Sequence, residues 1–470
     1  MTKTLYVDLD GTLVRSDTLL ESLYILLRES PHYLFLLPLW LLKGRAHFKE
    51  MISSRAEIEP DLLPIDKDFL SYLRRERAMG TRLILATAAH ERIAKKVFDH
   101  IGLFESYLAT KDGENLKGSK KLEKIKEQNP EFYYAGNHPV DLKIWKEAKG
   151  AVVVGPSSLK KKAEKLTEVI SHFPPKRSSL KILIKGLRVH QWAKNLLLFL
   201  PLLLAHEYTN VEKLITTFWG WLFFSFVASS VYLLNDIVDI EADRAHPEKS
   251  KRPLASGEMP LHVGAALAVF TFFIGFIGAF AVSKTLFTML LIYYVITTLY
   301  SFRLKKIALV DAFTLAGLFT WRIFAGGKVA DVRITFWLMA FSMFFFLSLA
   351  FAKRAAELHT MKSLGRKKAK GRGYMVEDEA SVKLLGAGSG IASIVILTLY
   401  VSQPTTLFLY SSPSILLGCC IAMLYWISRV WLKVDRGEMS EDPIAFALKD
   451  KASYLVVIAA AVFAYLARNY

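Results

Sequence analysis

Residues 232–243 read Tyr232-Leu233-Leu234-Asn235-Asp236-Ile237-Val238-Asp239-Ile240-Glu241-Ala242-Asp243, and they close an apolar run that begins near residue 214. A run of about 20 apolar residues is long enough to cross the hydrocarbon of a bilayer as a helix. Its carboxylates come only at the end, where such a helix reaches the membrane edge. If the helix continues through the motif, Asp236, Asp239 and Asp243 fall at i, i+3 and i+7 and share one face, with Asn235 and Asp239 an i, i+4 pair beside it. Three clustered carboxylates repel one another unless a cation neutralises them, and Mg2+ bridging to a diphosphate would do so. Arg244, Lys249, Lys251 and Arg252 follow at once. An acidic face with cations nearby suits a metal-diphosphate ligand, whose oxygens must be met on both sides.

Working outward, the chain after Ser178 is a series of apolar runs separated by short charged loops. Nine spans are expected, with cores at 194–206, 214–234, 263–283, 285–301, 309–325, 334–352, 385–403, 407–431 and 453–468. The first is short and carries Pro201. Before Pro175 the sequence mixes charge and apolar residues as soluble domains do. With 470 residues, 53% of them hydrophobic and 13% aromatic, the composition fits a membrane protein of two units. The expected division is a soluble domain at 1–155, a charged helix and Pro-containing linker at 156–180, and a transmembrane domain at 181–470. No fixed-period repeat is evident, and no cleavable signal peptide is expected, because Met1 leads straight into a strand-like segment.

The formal charge of +18 has a topological reading. Loops after the even-numbered spans (236–260, 302–308, 353–383, 432–452) are rich in Lys and Arg, whereas those after odd-numbered spans and the C-terminal tail hold only Lys213, Lys284, Lys328, Arg333 and Arg468. The positive-inside rule then puts the even loops and the N-terminal domain in the cytoplasm of a multi-pass inner (plasma) membrane protein, with the C-terminus outside. The charge therefore calls for no nucleic-acid partner, and topology alone explains loop lysines such as Lys367 and Lys368. The two cysteines, Cys419 and Cys420, are adjacent in an apolar run, which excludes a disulfide framework and a four-ligand metal site.

In the N-terminal part, residues 4–10 (TLYVDLD) read as a buried strand ending in two carboxylates, followed by Gly11-Thr12. Further strands are expected at 82–86, 132–135 and 151–154, with helices between, the pattern of a parallel α/β sheet whose ligand site lies at the carboxyl ends of its strands. Asp8-Leu9-Asp10-Gly11-Thr12 resembles the signature of the haloacid dehalogenase (HAD) hydrolases, a Rossmann-like fold with a helical cap. Thr87, a lysine at 117–121 and Gly136-Asn137-His138-Pro139-Val140-Asp141 follow in that family's order. The resemblance implies that Asp8 is a nucleophile and Asp10 a general acid/base. It also implies that Thr87 and Lys121 (or Lys117) hold phosphoryl oxygens, and that Asp8, Asp10 and Asp141 bind Mg2+. Asn137 departs from the family, which commonly has Asp there and so one more acidic group near the metal. The segment 33–42 (YLFLLPLWLL) is too short to span; it reads either as cap core or as a contact with the membrane surface.

The pattern Asn-Asp-x-x-Asp-x-x-x-Asp at 235–243 resembles the first acidic motif of the UbiA-type prenyltransferase superfamily, an all-α bundle of nine membrane helices, and the likeness covers roughly 180–470. The superfamily's second acidic motif is absent: Phe351-Ala352-Lys353-Arg354-Ala355-Ala356-Glu357-Leu358 and a basic 362–372 stretch occupy its place. Residues 188–195 (RVHQWAKN), 235–253, 300–311, 321–327 (WRIFAGG), 353–358 and 436–446 (RGEMSEDPIAF) look like the decaprenyl-phosphate phosphoribosyltransferase branch. That resemblance implies transfer of 5-phosphoribose from phosphoribosyl pyrophosphate (PRPP) to a polyprenyl phosphate, with Asp236, Asp239 and Asp243 holding Mg2+. Three phosphate groups call for many cations, and the candidates are Lys194, Lys251, Arg252, Arg303, Lys305, Arg322, Lys353 and Arg354. Asn235, Tyr300 and Asp311 are candidate supports for sugar or metal. Arg322 stands out, because a charge within a span is costly without a partner. The alternatives are an aromatic prenyltransferase using a polyprenyl diphosphate and a membrane-anchored HAD phosphatase.

Overall fold

The computed structural model describes residues 3–111, 114–175, 179–363, 365, 372–439, 446–447 and 450–469. It divides into two compact units: Met1–Arg188 with Tyr232–Val269, and Val189–Val231 with Phe270–Tyr470.

The first unit is built on a six-stranded parallel sheet, β1 (Thr4–Val7), β2 (Arg82–His90), β3 (Ser106–Thr110), β4 (Tyr133–Gly136), β5 (Gly150–Val154) and β6 (Glu168–Phe173), ordered β3-β2-β1-β4-β5-β6. β1 sits between β2 and β4, with Leu5 opposite both Leu83 and Tyr133. Its side chains alternate between two buried layers, as the two-residue period of a strand requires. Leu5, Val7, Leu83 and Leu85 pack with Phe69, Leu73 and Ile93 on one face. Tyr6, Ile84 and Tyr134 pack with Ile125, Ile144 and Trp145 on the other. A parallel sheet covered on both faces needs such continuous apolar strands. The order brings the ends of β1, β2 and β4 together, and with them Asp8, Thr87 and Asn137.

Residues 156–173, expected as helix and linker, hold the helix Ser157–Ala163 and β6, which pairs in parallel with β5. The linker reading is corrected there: β6 is an edge strand with no fully buried residue, so its sequence lacks the apolar run of an inner strand. The cap holds the 3-10 turn Pro31–Phe35 and the helices Leu37–Leu42 and Arg45–Ser53. Within 33–42 only Trp40 is buried, while Leu34, Phe35, Leu36, Leu39, Leu41 and Leu42 are exposed, so most of that segment is not cap core.

Seven helices among the described residues are long and apolar enough to cross a membrane: Val211–Val238, Leu261–Val282, Lys284–Phe302, Phe336–Ser363, Val376–Val401, Pro413–Asp435 and Lys451–Asn469. The other two expected spans take different forms. Residues 194–206 fall in a 3-10 helix, Val189–Phe199, and a short α-helix, Leu200–Leu204, with Pro201 at its start, where a missing N–H costs nothing. Residues 310–325 of the expected 309–325 span lie in the 20-residue helix Val310–Val329, whose Asp311, Arg322 and Lys328 lower its hydropathy. This helix packs against the 3-10 segment with no room for a side chain at Gly326: a Cβ there would lie 2.1 Å from the Leu198 carbonyl oxygen.

Candidate functional site

Two polar centres lie in the first unit. At the sheet's carboxyl edge, Lys121 Nζ donates to Asp8 Oδ1 at 2.8 Å and to the Tyr134 hydroxyl at 3.1 Å. Of the two lysines open from sequence, Lys121 makes this pair, and Lys117 lines the same cavity. Asp141 Oδ2 accepts from the backbone N–H groups of Asn137 and His138 at 3.1 and 2.9 Å, and its Oδ1 from Tyr134 at 3.3 Å. The Thr18 N–H donates to Asp10 Oδ1 at 2.8 Å. Thr87 is fully buried, and its hydroxyl accepts the Ala89 N–H.

Crowding of carboxylates under burial sets their protonation. Burial, then the charges of Asp17 and Asp8, push Asp10 up to about 7 against the Thr18 N–H. Burial and the Asp8 charge also raise Asp141, with Lys121 opposing. Asp10 therefore carries its proton up to near neutrality, the state a general acid needs. Gly11 has φ +74°, and a Cβ there would meet Asn137 Nδ2 at 2.0 Å, so only glycine lets Asn137 close over the loop.

These groups open into a cavity of about 690 Å3. Its walls include residues that the sequence did not single out. Lys49 of the cap bonds the Ala88 carbonyl at 2.6 Å and Asn115 Oδ1 at 2.7 Å. Arg15, Asp17 and Arg45 also line it, as do Leu19, Leu41 and Phe48. No motif announces Lys49, because a cap lies far in sequence from the strand ends it covers.

The second centre is the acidic motif. Its helix does not run straight through: it ends at Val238, Asp239 caps a new turn, and Ile240–Arg244 continue. Hydrogen bonds from Asp239 N to Asn235 O and from Asp243 N to Asp239 O, both 2.8 Å, keep the helical spacing across the break. Asp236 and Asp243 consequently converge: Arg252 Nη1 lies 3.1 Å from Asp236 Oδ1 and 2.5 Å from Asp243 Oδ2. Arg188 grips Asp236 through both carboxylate oxygens, Nε to Oδ2 at 3.2 Å and Nη2 to Oδ1. Burial raises the Asp243 carboxyl above its usual range; Arg252 opposes this and the Asp236 charge adds to it. Lys251 instead reaches Glu248 at 2.7 Å on the surface. Arg188 was missed as a site residue because it lies 48 positions from its partner.

Among the described residues no three His, Cys, Asp or Glu side chains form a ready cage for a metal. Pairs do converge. Asp236 and Asp243 meet on one cationic group, and Asp8 and Asp141 are linked through Lys121 and the Tyr134 hydroxyl, donor sets that fit a hard cation completed by phosphate oxygens.

In the second unit the candidates separate into two networks. Arg322 Nε donates to Asn195 Oδ1 at 2.8 Å, Nη1 to the Leu318 carbonyl at 2.7 Å and Nη2 to the Tyr293 hydroxyl at 2.9 Å. Its plane lies over the rings of Tyr293, Phe319 and Phe224. Arg354 Nε lies 2.6 Å from Asp311 Oδ2, and Arg354 also pairs with Glu357 and reaches the Tyr300 hydroxyl at 3.4 Å. Tyr374 donates to Asp311 Oδ1 at 2.8 Å, and Arg372 to Tyr300 at 3.2 Å. Asp311 and Glu357 therefore gather carboxylates around Arg354, although no contiguous second acidic motif exists. Lys194 lies in the 3-10 segment, Lys305 in the turn Leu304–Lys306 and Lys353 in the helix Phe336–Ser363. Lys367, Lys368 and residues 440–445 of the 436–446 stretch lie outside the described residues.

Comparison with known proteins matches residues 196–463 to the UbiA prenyltransferase family and residues 33–146 to haloacid dehalogenase-like hydrolases. An uncharacterized protein, y4nM, of Sinorhizobium fredii is 37% identical over 96% of this chain and 88% of its own length. The nodulation protein NoeC of Azorhizobium caulinodans is 31% identical over 58% of this chain and 89% of its own. A decaprenyl-phosphate phosphoribosyltransferase of Mycobacterium tuberculosis is 33% identical over 39% of this chain and 62% of its own. The chain is a membrane enzyme that belongs to the UbiA prenyltransferase family and carries a haloacid dehalogenase-like domain ahead of its membrane helices.

Proposed function

We propose that the protein transfers 5-phosphoribose from PRPP to a polyprenyl phosphate, releasing pyrophosphate, and that the HAD domain then removes the 5-phosphate from the lipid product. The observation that carries the first step is the convergence of Asp236 and Asp243 on Arg252, with Arg188 alongside: two carboxylates and two guanidinium groups within one small volume. The likeness to a decaprenyl-phosphate phosphoribosyltransferase supports the choice of substrates.

In this reading Asp236, Asp239 and Asp243 hold Mg2+, which would neutralise the diphosphate and stabilise the leaving charge. Arg188 and Arg252 take diphosphate oxygens, their forks matching two oxygens at once. A lipid phosphate oxygen forms the new bond to the anomeric carbon as the bond to pyrophosphate breaks, and pyrophosphate leaves with the electron pair. Lys194, Lys305 and Lys353 remain candidate phosphate contacts. Arg322 and Arg354, with their donors engaged by partners within the helices, are assigned to positioning. In the HAD domain Asp8 attacks phosphorus while Asp10 protonates the departing alcohol, and Asp10 later takes a proton from the hydrolytic water. Asp8 and Asp141 are the Mg2+ candidates there, and Lys121 holds Asp8 in place for attack.

Purified protein with Mg2+, labelled PRPP and polyprenyl phosphate is expected to yield labelled lipid and pyrophosphate. Asp236→Ala is expected to abolish transfer, whereas Asp8→Asn leaves it intact and accumulates the phosphorylated lipid. Prenylation of an aromatic acid with no labelled lipid would overturn the reading.

A further inference from the structure

We infer that the cap of the HAD domain is a membrane-inserting element, and that the phosphatase cavity opens onto the bilayer surface to take a lipid-borne phosphomonoester. Phe35 is 79% exposed, Leu42 84% and Leu39 55%, on a built element rather than a loose loop. Trp40 anchors it from beneath, 5.5 Å from Tyr33 and with Arg55 over both rings. No carboxylate occurs between Glu29 and Glu50, while Lys43, Arg45 and Lys49 do. Exposed leucines and phenylalanine with basic residues and no acid form the composition that settles into the headgroup region of an anionic bilayer.

Two further observations select lipid as what covers this face. Leu41 belongs to the exposed patch and also lines the cavity that holds Asp8 and Asp10, so the apolar surface continues into the site. The cavity wall also contains Pro260, Leu261 and His262, and Leu261 begins the apolar 22-residue helix that ends at Val282. A cavity walled by the first turn of a membrane-crossing helix lies at the level where the hydrocarbon begins, and Leu41, Arg45 and Phe48 of the cap line the same cavity. A ligand with a phosphate at Asp8 and an apolar tail along Leu41 and Leu39 would reach the site without leaving the membrane. Delivery of such a ligand rests on the phosphatase reading above; insertion of the cap does not.

The test places nitroxide labels on Phe35→Cys, Leu39→Cys and Leu42→Cys, one at a time, in the full chain with Cys419→Ser and Cys420→Ser. The chains are reconstituted in nanodiscs of phosphatidylethanolamine and phosphatidylglycerol. Relative to a label at Glu127→Cys, the cap labels are expected to show a several-fold higher ratio of oxygen to nickel-chelate collision, the signature of immersion in lipid. Water-like ratios at all three positions would overturn the inference, as would spin–spin broadening between labels, which would mean that a second copy covers the face. The readout needs neither transferase nor phosphatase turnover, so its failure is separate from failure of the proposed reactions.

Discussion

At position 137 one oxygen is bonded to the Thr12 hydroxyl at 3.3 Å, and the whole side chain lies over Gly11. An aspartate there would add a fourth carboxylate to Asp8, Asp10 and Asp141, of which Asp10 and Asp141 are already raised by burial and by neighbouring carboxylate charge. Asparagine spares the metal-free fold that repulsion and gives up one charge toward a cation. Asn137→Asp is expected to lower the Mg2+ concentration that half-saturates phosphate release about tenfold, the weight of one added carboxylate ligand. Thermal unfolding in chelator should fall in the same variant, and no change in either measurement would remove Asn137 from the metal's surroundings. The departure itself was legible in the sequence. Its neighbours were not: Thr12 and Gly11 meet Asn137 only because β1 and β4 are adjacent in the sheet.

Among elements, the helix Thr18–Glu29 and the acidic motif are joined by charge. The buried Glu21 accepts from Arg244 at 2.6 and 3.1 Å and from Ser16 at 2.5 Å, and Arg28 reaches Glu241 at 2.5 Å. Breaking a buried pair from one side leaves the other charge unpaired in a poor solvent. Glu21→Ala is therefore expected to destabilise the first unit by about 3–5 kcal/mol in unfolding measurements, and adding Arg244→Met should restore much of the loss. An additive double variant would mean that the two charges do not act on each other. Central elements could be read directly: β1 and β5 are short apolar runs, and runs of that kind have one stable use in a parallel sheet. β6 could not, because an edge strand with no fully buried residue carries no apolar run to mark it. Nor could the turn at Asp239, since the 3.6-residue spacing of its carboxylates is kept on both sides of the break.

For the whole molecule, the distribution of Lys and Arg makes orientation a prediction of composition rather than of packing. Nine crossings, as read from the sequence, leave the two ends on opposite sides of the membrane. An alkaline phosphatase reporter fused after residue 469 is expected to be active outside, and one fused in the loop after Asp435 inactive. An active reporter in that loop would reverse the assignment. Counting crossings was the weaker part of the sequence reading. The segment before Leu200 forms a 3-10 helix, and the helix Val310–Val329 carries charges that apolarity alone would not admit.

The sequence by itself determined that a parallel α/β domain precedes a bundle of membrane helices, and it marked Asp8, Asp10, Asp236, Asp239 and Asp243. Strand runs, span lengths and acidic spacing are local properties of the chain, set by the periods of its backbone. Tertiary structure alone decided which charges meet. Arg188 and Arg252 lie on Asp236, and Glu21 on Arg244. Lys121, not Lys117, lies on Asp8, and Arg322 lies among Asn195, Tyr293 and a backbone carbonyl. The reason is physical: a buried charge is satisfied by whichever partner the packing brings within about 3 Å, and sequence separation has no bearing on that distance.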